Sequence, residues 1–132
     1  MLRSVAVKDY MSANLITFTP DMDILKAVSL LIEKRISGGP VVDKQGNLVG
    51  ELSEKDCLKV ALHASYHSES AGTVAEYMHA GTKTVDADTN IVDIAGMFLR
   101  DGYRRYPVLK DNRLVGQISR RDVLIALENL WH

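Results

Sequence analysis

The sequence predicts an α/β (α+β) fold built from two tandem β-α-β-β-α repeats packed with pseudo-twofold symmetry. Three observations predict it. The chain repeats itself in register: Val7-Lys8-Asp9-Tyr10-Met11 returns as Val74-Ala75-Glu76-Tyr77-Met78 at an offset of 67, and Pro40-Val41 returns as Pro107-Val108. Each copy carries one stretch of helical periodicity followed by two short apolar runs around a polar turn. A unit of roughly 60 residues buries too little apolar surface to be robust alone, so two copies would share one core.

The elements follow in order. A short extended piece, Leu15 to Phe18 in one copy and Lys83 to Val85 in the other, opens each repeat. Next comes an amphipathic helix with one apolar stripe: Ile24, Ala27, Val28, Leu31 and Ile32, then Ile91, Ile94, Ala95, Phe98 and Leu99. Asp23 and Asn90 stand immediately before these stripes, where a helix N-cap belongs. Two strands flank a turn, Val41-Val42 with Leu48 to Leu52, and Val108-Leu109 with Leu114 to Ile118. Within those turns the offset slips from 67 to 66, where a deletion is cheapest. A second helix closes each copy, Glu54 to Leu62 and Arg120 to Leu130. The domain organisation is therefore residues 1–66 and 67–132, joined by a linker at about 63–72 rich in Ser, Ala and His.

Composition excludes several classes. Of 132 residues, 46% are apolar and 25% charged, as in a globular domain. Sixteen basic residues nearly cancel seventeen acidic ones, unlike the marked basic excess of a nucleic-acid coat. No apolar run approaches the roughly 20 residues that cross a bilayer. The first residues carry an early acid and no long apolar stretch, unlike a secretory signal. The lone Cys57 excludes an internal disulfide framework and fits a reducing cytoplasm.

The most specific segments are Gly50-Glu51-Leu52-Ser53-Glu54-Lys55-Asp56 and Gly116-Gln117-Ile118-Ser119-Arg120-Arg121-Asp122. With the Tyr-Met and Pro-Val pairs, they make each repeat resemble a CBS domain, the motif named for cystathionine β-synthase, and the pair resemble a stand-alone Bateman module. The resemblance covers Val7 to Leu130. It implies a regulatory, non-enzymatic module that binds an adenine nucleotide (AMP, ADP or ATP, with S-adenosylmethionine as a further candidate) in the cleft between the repeats. It also implies a homodimer assembled through helices, to which Tyr10, Met11, Tyr77 and Met78 and the apolar end Leu127, Leu130, Trp131 and His132 would contribute unless Trp131 folds back onto its own core, and an effector protein acting in trans. No membrane partner is implied. A ligand-free dimerisation scaffold and a nucleic-acid-binding module are the competing readings.

By the same resemblance, Asp56 and Asp122 bond the ribose hydroxyls, with Ser53 and Ser119 beside them. A carboxylate can accept from two vicinal hydroxyls at once. The identical segments also read as capping boxes, with Asp in place of Glu or Gln, and both roles coexist. Basic residues two and three positions before the proline mark phosphate binders in the family. Arg104 and Arg105 match, Ser37 and Gly38 do not, and Arg121 adds a further guanidinium, so the second repeat would grip phosphate. Thr17 and Thr84 lie on the opening strands, near the sugar or phosphate. Ile36, Tyr103 and Tyr106 either flank an adenine or pack in the core. Gly38-Gly39 leaves either ligand space or room for a tight backbone crossing.

No catalytic constellation stands out. Cys57 has no activating base at motif spacing, and there is no Walker loop or Gly-x-Gly-x-x-Gly. His63 and His67 share helical spacing, but neither they nor His79 and His132 form a metal-ligand motif.

Overall fold

A computed structural model describes residues 5–64 and 71–131. The chain divides into two compact units that cut across the sequence repeats. One is Ile16–Thr82; the other joins the segment ending at Leu15 to the segment beginning at Lys83.

In the Ile16–Thr82 unit, α1 (Ile24–Lys34) starts where the sequence predicts, because the Asp23 carboxylate accepts the Leu25 N–H at 2.9 Å. It ends on Arg35, which adopts the left-handed conformation at φ 54°. Strand β1 (Gly38–Val42) pairs antiparallel with β2 (Leu48–Ser53), setting Gly38 opposite Ser53. The predicted opening strand contracts to one bridging residue. Phe18 donates to the Pro40 carbonyl at 3.0 Å and accepts from the Val42 N–H at 2.9 Å. The predicted second helix breaks into α2 (Glu54–Leu58) and α3 (Val60–Ala64). At the break, Lys59 N–H turns to the Asp56 carbonyl and Leu62 N–H to the Lys59 carbonyl, the tighter three-residue pattern. Helix α4 (Val74–Tyr77) brings Val74 and Tyr77 into the core of Phe18, Ile24 and Leu52.

The other unit opens with a 3₁₀ turn at Val7–Asp9. Its sheet has the order β3 (Val85–Asp86), β4 (Arg105–Lys110), β5 (Arg113–Ser119), with β3 parallel and β5 antiparallel to β4. Helix α5 (Ile91–Asp101) is capped by Asn90, whose carbonyl accepts the Val92 N–H at 2.8 Å, and ends on Gly102 at φ 72°. Helix α6 (Arg120–Leu130) packs on α5 around Ile94, Phe98, Val123 and Ala126.

The entry motifs explain why the units cross the repeat boundary. Met78 seats on Gly50, where an added Cβ would come within 2.8 Å of the sulfur and 2.9 Å of the His79 carbonyl. Met11 seats on Gly116 in the same way, at 2.6 Å from the sulfur and 2.8 Å from the Ser12 carbonyl. Each Tyr-Met segment therefore packs on the hairpin of the other sequence repeat, and glycine is required where it lands.

Bulk is exchanged between the copies. Gly39 lets β1 approach the Ile16 carbonyl, 2.9 Å from where a Cβ would sit, with the Phe18 ring at 3.0 Å. At the matching positions the other unit has Tyr106 and Val85, both in the core. Large and small residues have traded strands while the interior stays filled. Gly39 thus serves a tight backbone crossing. Among the described residues, no helix is long and apolar enough to cross a membrane.

Candidate functional site

Each unit carries one Ser-x-x-Asp segment at the junction of its hairpin and the following helix. In the Ile16–Thr82 unit, Ser53 Oγ accepts the Asp56 N–H at 3.1 Å and the Asp56 carboxylate accepts the Ser53 N–H at 2.9 Å, completing a capping box. The Ser53 hydroxyl also donates to Asp56 Oδ2 at 2.9 Å. A third donor arrives from His79, whose Nδ1 stands 2.8 Å from the same oxygen. An ionised carboxylate only accepts, so this nitrogen carries the proton. Asp56 is 7% exposed. Burial works to raise its carboxyl, but His79 and the two Ser53 donors more than offset that and hold it below the usual carboxylate range.

In the other unit, Ser119 Oγ accepts the Asp122 N–H at 3.2 Å and Asp122 accepts the Ser119 N–H at 2.9 Å. Asp122 is half-buried. The β4–β5 register sets Arg105 opposite Ser119, and Arg120 N–H bonds the Arg104 carbonyl at 3.4 Å. Arg104 and Arg121 are exposed. Two arginines, the start of α6 and the Asp122 carboxylate thus share one end of the sheet. The positive end of the helix dipole and nearby guanidinium forks suit a phosphate group.

The remaining predicted residues scatter. Tyr103 is 48% exposed and meets Tyr106 edge-on at 5.6 Å. Tyr106 is fully buried, packs on Phe98 at 4.6 Å and donates to Asp101 Oδ2 at 3.0 Å, so its ring presents no open face. Burial first, then the Asp101 carboxylate, pushes the Tyr106 phenol up to about 12. Lys83 shares that carboxylate at 2.7 Å and holds Asp101 below its ordinary range. Ile36 packs half-buried against the core of its unit, while the Ser37 carbonyl caps the start of α2 by accepting the Glu54 N–H at 2.9 Å. Thr17 is half-buried beside Phe18. Thr84 lines a separate polar hollow of about 340 Å³ with Asp86, Asp111 and Asn112.

Sequence reasoning missed two contributors. Arg120 donates to the carbonyls of Tyr103 (3.1 Å) and Gly102 (3.4 Å) and so ties down the end of α5. His79 reaches Asp56 across 23 residues. The available signal was its register with Ser12, at the offset of 67. Tyr10, Met11, Tyr77 and Met78, expected at a dimer contact, are engaged inside the units. The Tyr10 hydroxyl accepts from Asn129 at 3.1 Å, Tyr77 is in the core and donates to the Ala71 carbonyl at 2.8 Å, and the methionines seat on glycines. Cys57 is half-buried, and burial raises its thiol, as for a packing residue rather than a nucleophile. No three potential metal-ligand side chains gather among the described residues; His67 and His132 lie outside them.

The CBS domain model matches residues 7–63 and again 74–129. The chain belongs to the CBS-domain family. As a CBS pair it is similar to the crystal structure of CBSX2 in complex with AMP, at 29% identity and a TM-score of 0.80, over 98% of this chain and 100% of that one; CBSX2 is a CBS-pair protein of Arabidopsis thaliana. It is also similar to the CBS pair of protein MJ0100 in complex with 5′-methylthioadenosine and S-adenosyl-L-methionine, at 27% identity and a TM-score of 0.71, over 94% of this chain and 96% of that one. Among curated relatives, the CBS domain-containing protein YhcV of Bacillus subtilis is 28% identical over 96% of both chains. The chain spans 44 to 64% of the length of three longer relatives that it also matches.

Proposed function

We propose that this CBS pair is a non-catalytic regulatory module of the cytoplasm that binds an adenine nucleotide or related adenosyl compound at its Ser-x-x-Asp segments and passes the signal to a partner protein. The observation that carries the reading is the end of the sheet shared by Ser119, Asp122, Arg104 and Arg105, in a fold similar to that of CBSX2 with AMP. Asp122 supplies a carboxylate for vicinal ribose hydroxyls, and the arginines supply bidentate donors for phosphate. Ligand binding biases the module by the ligand's differential affinity for its states, and by no more.

Titration calorimetry with AMP, ADP, ATP and S-adenosylmethionine tests this. Heat from at least one of them is expected, with a rise in melting temperature that grows with ligand concentration. Folded protein that gives no heat with any of them overturns the reading and leaves the scaffold alternative.

We further propose that the module pairs with a second copy through the α5–α6 face. Leu99, Leu124 and Trp131 are 89%, 65% and 79% exposed, beside an apolar hollow of about 580 Å³ that includes Phe98, Val123 and Leu127. The matching positions of the other unit, Ile32 and Leu58, are 73% and 71% exposed, so a second copy meets like with like. Light scattering on a sizing column is expected to give a dimer that Leu124→Asp converts to monomer; a monomeric parent protein overturns it.

A further inference from the structure

The two Ser-x-x-Asp segments are alike in sequence and unlike in what surrounds their carboxylates. Asp56 Oδ2 accepts from Ser53 N–H, the Ser53 hydroxyl and His79 Nδ1, at 2.9, 2.9 and 2.8 Å. The His79 backbone is pinned by a reciprocal pair of bonds with Glu51, both 2.9 Å, so the sheet edge itself delivers the ring to the carboxylate. Ser12 forms the same reciprocal pair with Gln117, also 2.9 Å each way, and places a short hydroxyl where the other copy has an imidazole. Asp122 keeps the Ser119 N–H, and among the described residues no histidine bonds it.

We propose that His79 closes the Asp56 carboxylate to ligand, so that the chain takes one adenosyl ligand, at Asp122, and the side chain at positions 12 and 79 decides which copy is open. This inference rests on the adenosyl-binding reading above. Ribose recognition asks one carboxylate to accept from two hydroxyls. At Asp56 the imidazole occupies Oδ2 and only 7% of the residue is exposed, so a ribose that reaches it has to move a ring whose backbone is held in place, a penalty of about ten- to a hundredfold in affinity. The same copy has Ser37 and Gly38 where the other has Arg104 and Arg105, so it offers little phosphate affinity to overcome that penalty. Histidine restraint and missing arginines act in the same direction.

Calorimetry with AMP, run on the full chain at protein concentrations that count sites, tests it. The parent protein takes up one equivalent. His79→Ser, which installs the residue of the other copy, takes up a second, as does His79→Ala. Ser12→His, which brings an imidazole to Asp122, weakens AMP binding by about tenfold or more. Melting curves accompany each variant, and Ser12→His decides the matter if the His79 variants are too unstable to titrate. Two equivalents in the parent, no second equivalent in the folded His79 variants, or unchanged affinity in Ser12→His overturns the inference while the adenosyl reading stands. Absence of uptake by every folded variant overturns both.

Discussion

At the scale of single residues, Asp56 is the buried charged side chain among the described residues. Burial alone would raise it; His79 and Ser53 together bring it below the ordinary value of about 3.9. A folded-state value below the unfolded one adds stability that is fully present above about pH 4 and is lost as pH falls through the folded value. Asp56→Asn removes that titration. Its stability should therefore fall less than the parent's between pH 6 and pH 3, measured by urea unfolding across the series, and parallel losses would contradict the assignment. Tyr106 is a second case. Its hydroxyl bonds Asp101 from a fully buried ring, so Tyr106→Phe should cost about 1 kcal/mol, with Lys83 still holding Asp101. The serine and aspartate roles in the caps were legible because a cap is a contact over three residues. The His79–Asp56 pair was not, because no local pattern specifies a contact between segments so far apart.

At the scale of elements, the helices were the most legible parts, since periodicity and caps are local. The caps at Asp23 and Asn90 appear as the sequence predicts, and the stripes bury Ile24, Ala27 and Leu31 in α1 and Ile91, Ile94 and Phe98 in α5, while their last members, Ile32 and Leu99, stay exposed. The first strand was less so. Phe18 has a strand's apolar character, yet its copy pairs through one residue where the other forms β3. Helix ends hold a further difference. Arg35 and Gly102 occupy the same place after α1 and α5, both left-handed, but only glycine adopts that conformation without a Cβ penalty. Arg35→Gly should therefore raise stability by about 0.5–1 kcal/mol, the left-handed strain relieved less the added chain entropy. Ser119→Ala should lower it by about 1 kcal/mol, because Asp122 N–H then loses its acceptor at the start of α6. Thermal and urea denaturation check both, and equal melting temperatures for parent and Arg35→Gly would show the left-handed turn to be unstrained.

At the scale of the whole molecule, sequence repeats and compact units are different divisions of the same chain. The repeat is a unit of sequence, matched at 7–63 and 74–129; the compact unit Ile16–Thr82 trades one entry segment for the other. Periodicity shows which residues correspond, but not which partner each segment packs against, and so the exchange was invisible to the repeat alone. It has a direct consequence for folding. A fragment of residues 1–66 keeps Gly50 and Asp56 but lacks Val74, Tyr77, Met78 and His79, which supply part of its core, the seat on Gly50 and the donor to Asp56. A fragment of residues 16–82 keeps all of these. Small units of this size have little stability to spare, so the loss of two core side chains and a charge-assisted bond should abolish cooperative unfolding in the first fragment and not in the second. Circular dichroism melting of the two fragments distinguishes them. A sharp transition for 16–82 beside a featureless slope for 1–66 is expected, and adding a peptide of residues 71–82 should restore part of the transition to 1–66. If 1–66 melts as cooperatively as 16–82, the entry segments are ornaments on self-sufficient repeats, and their methionines contribute little to holding the hairpins.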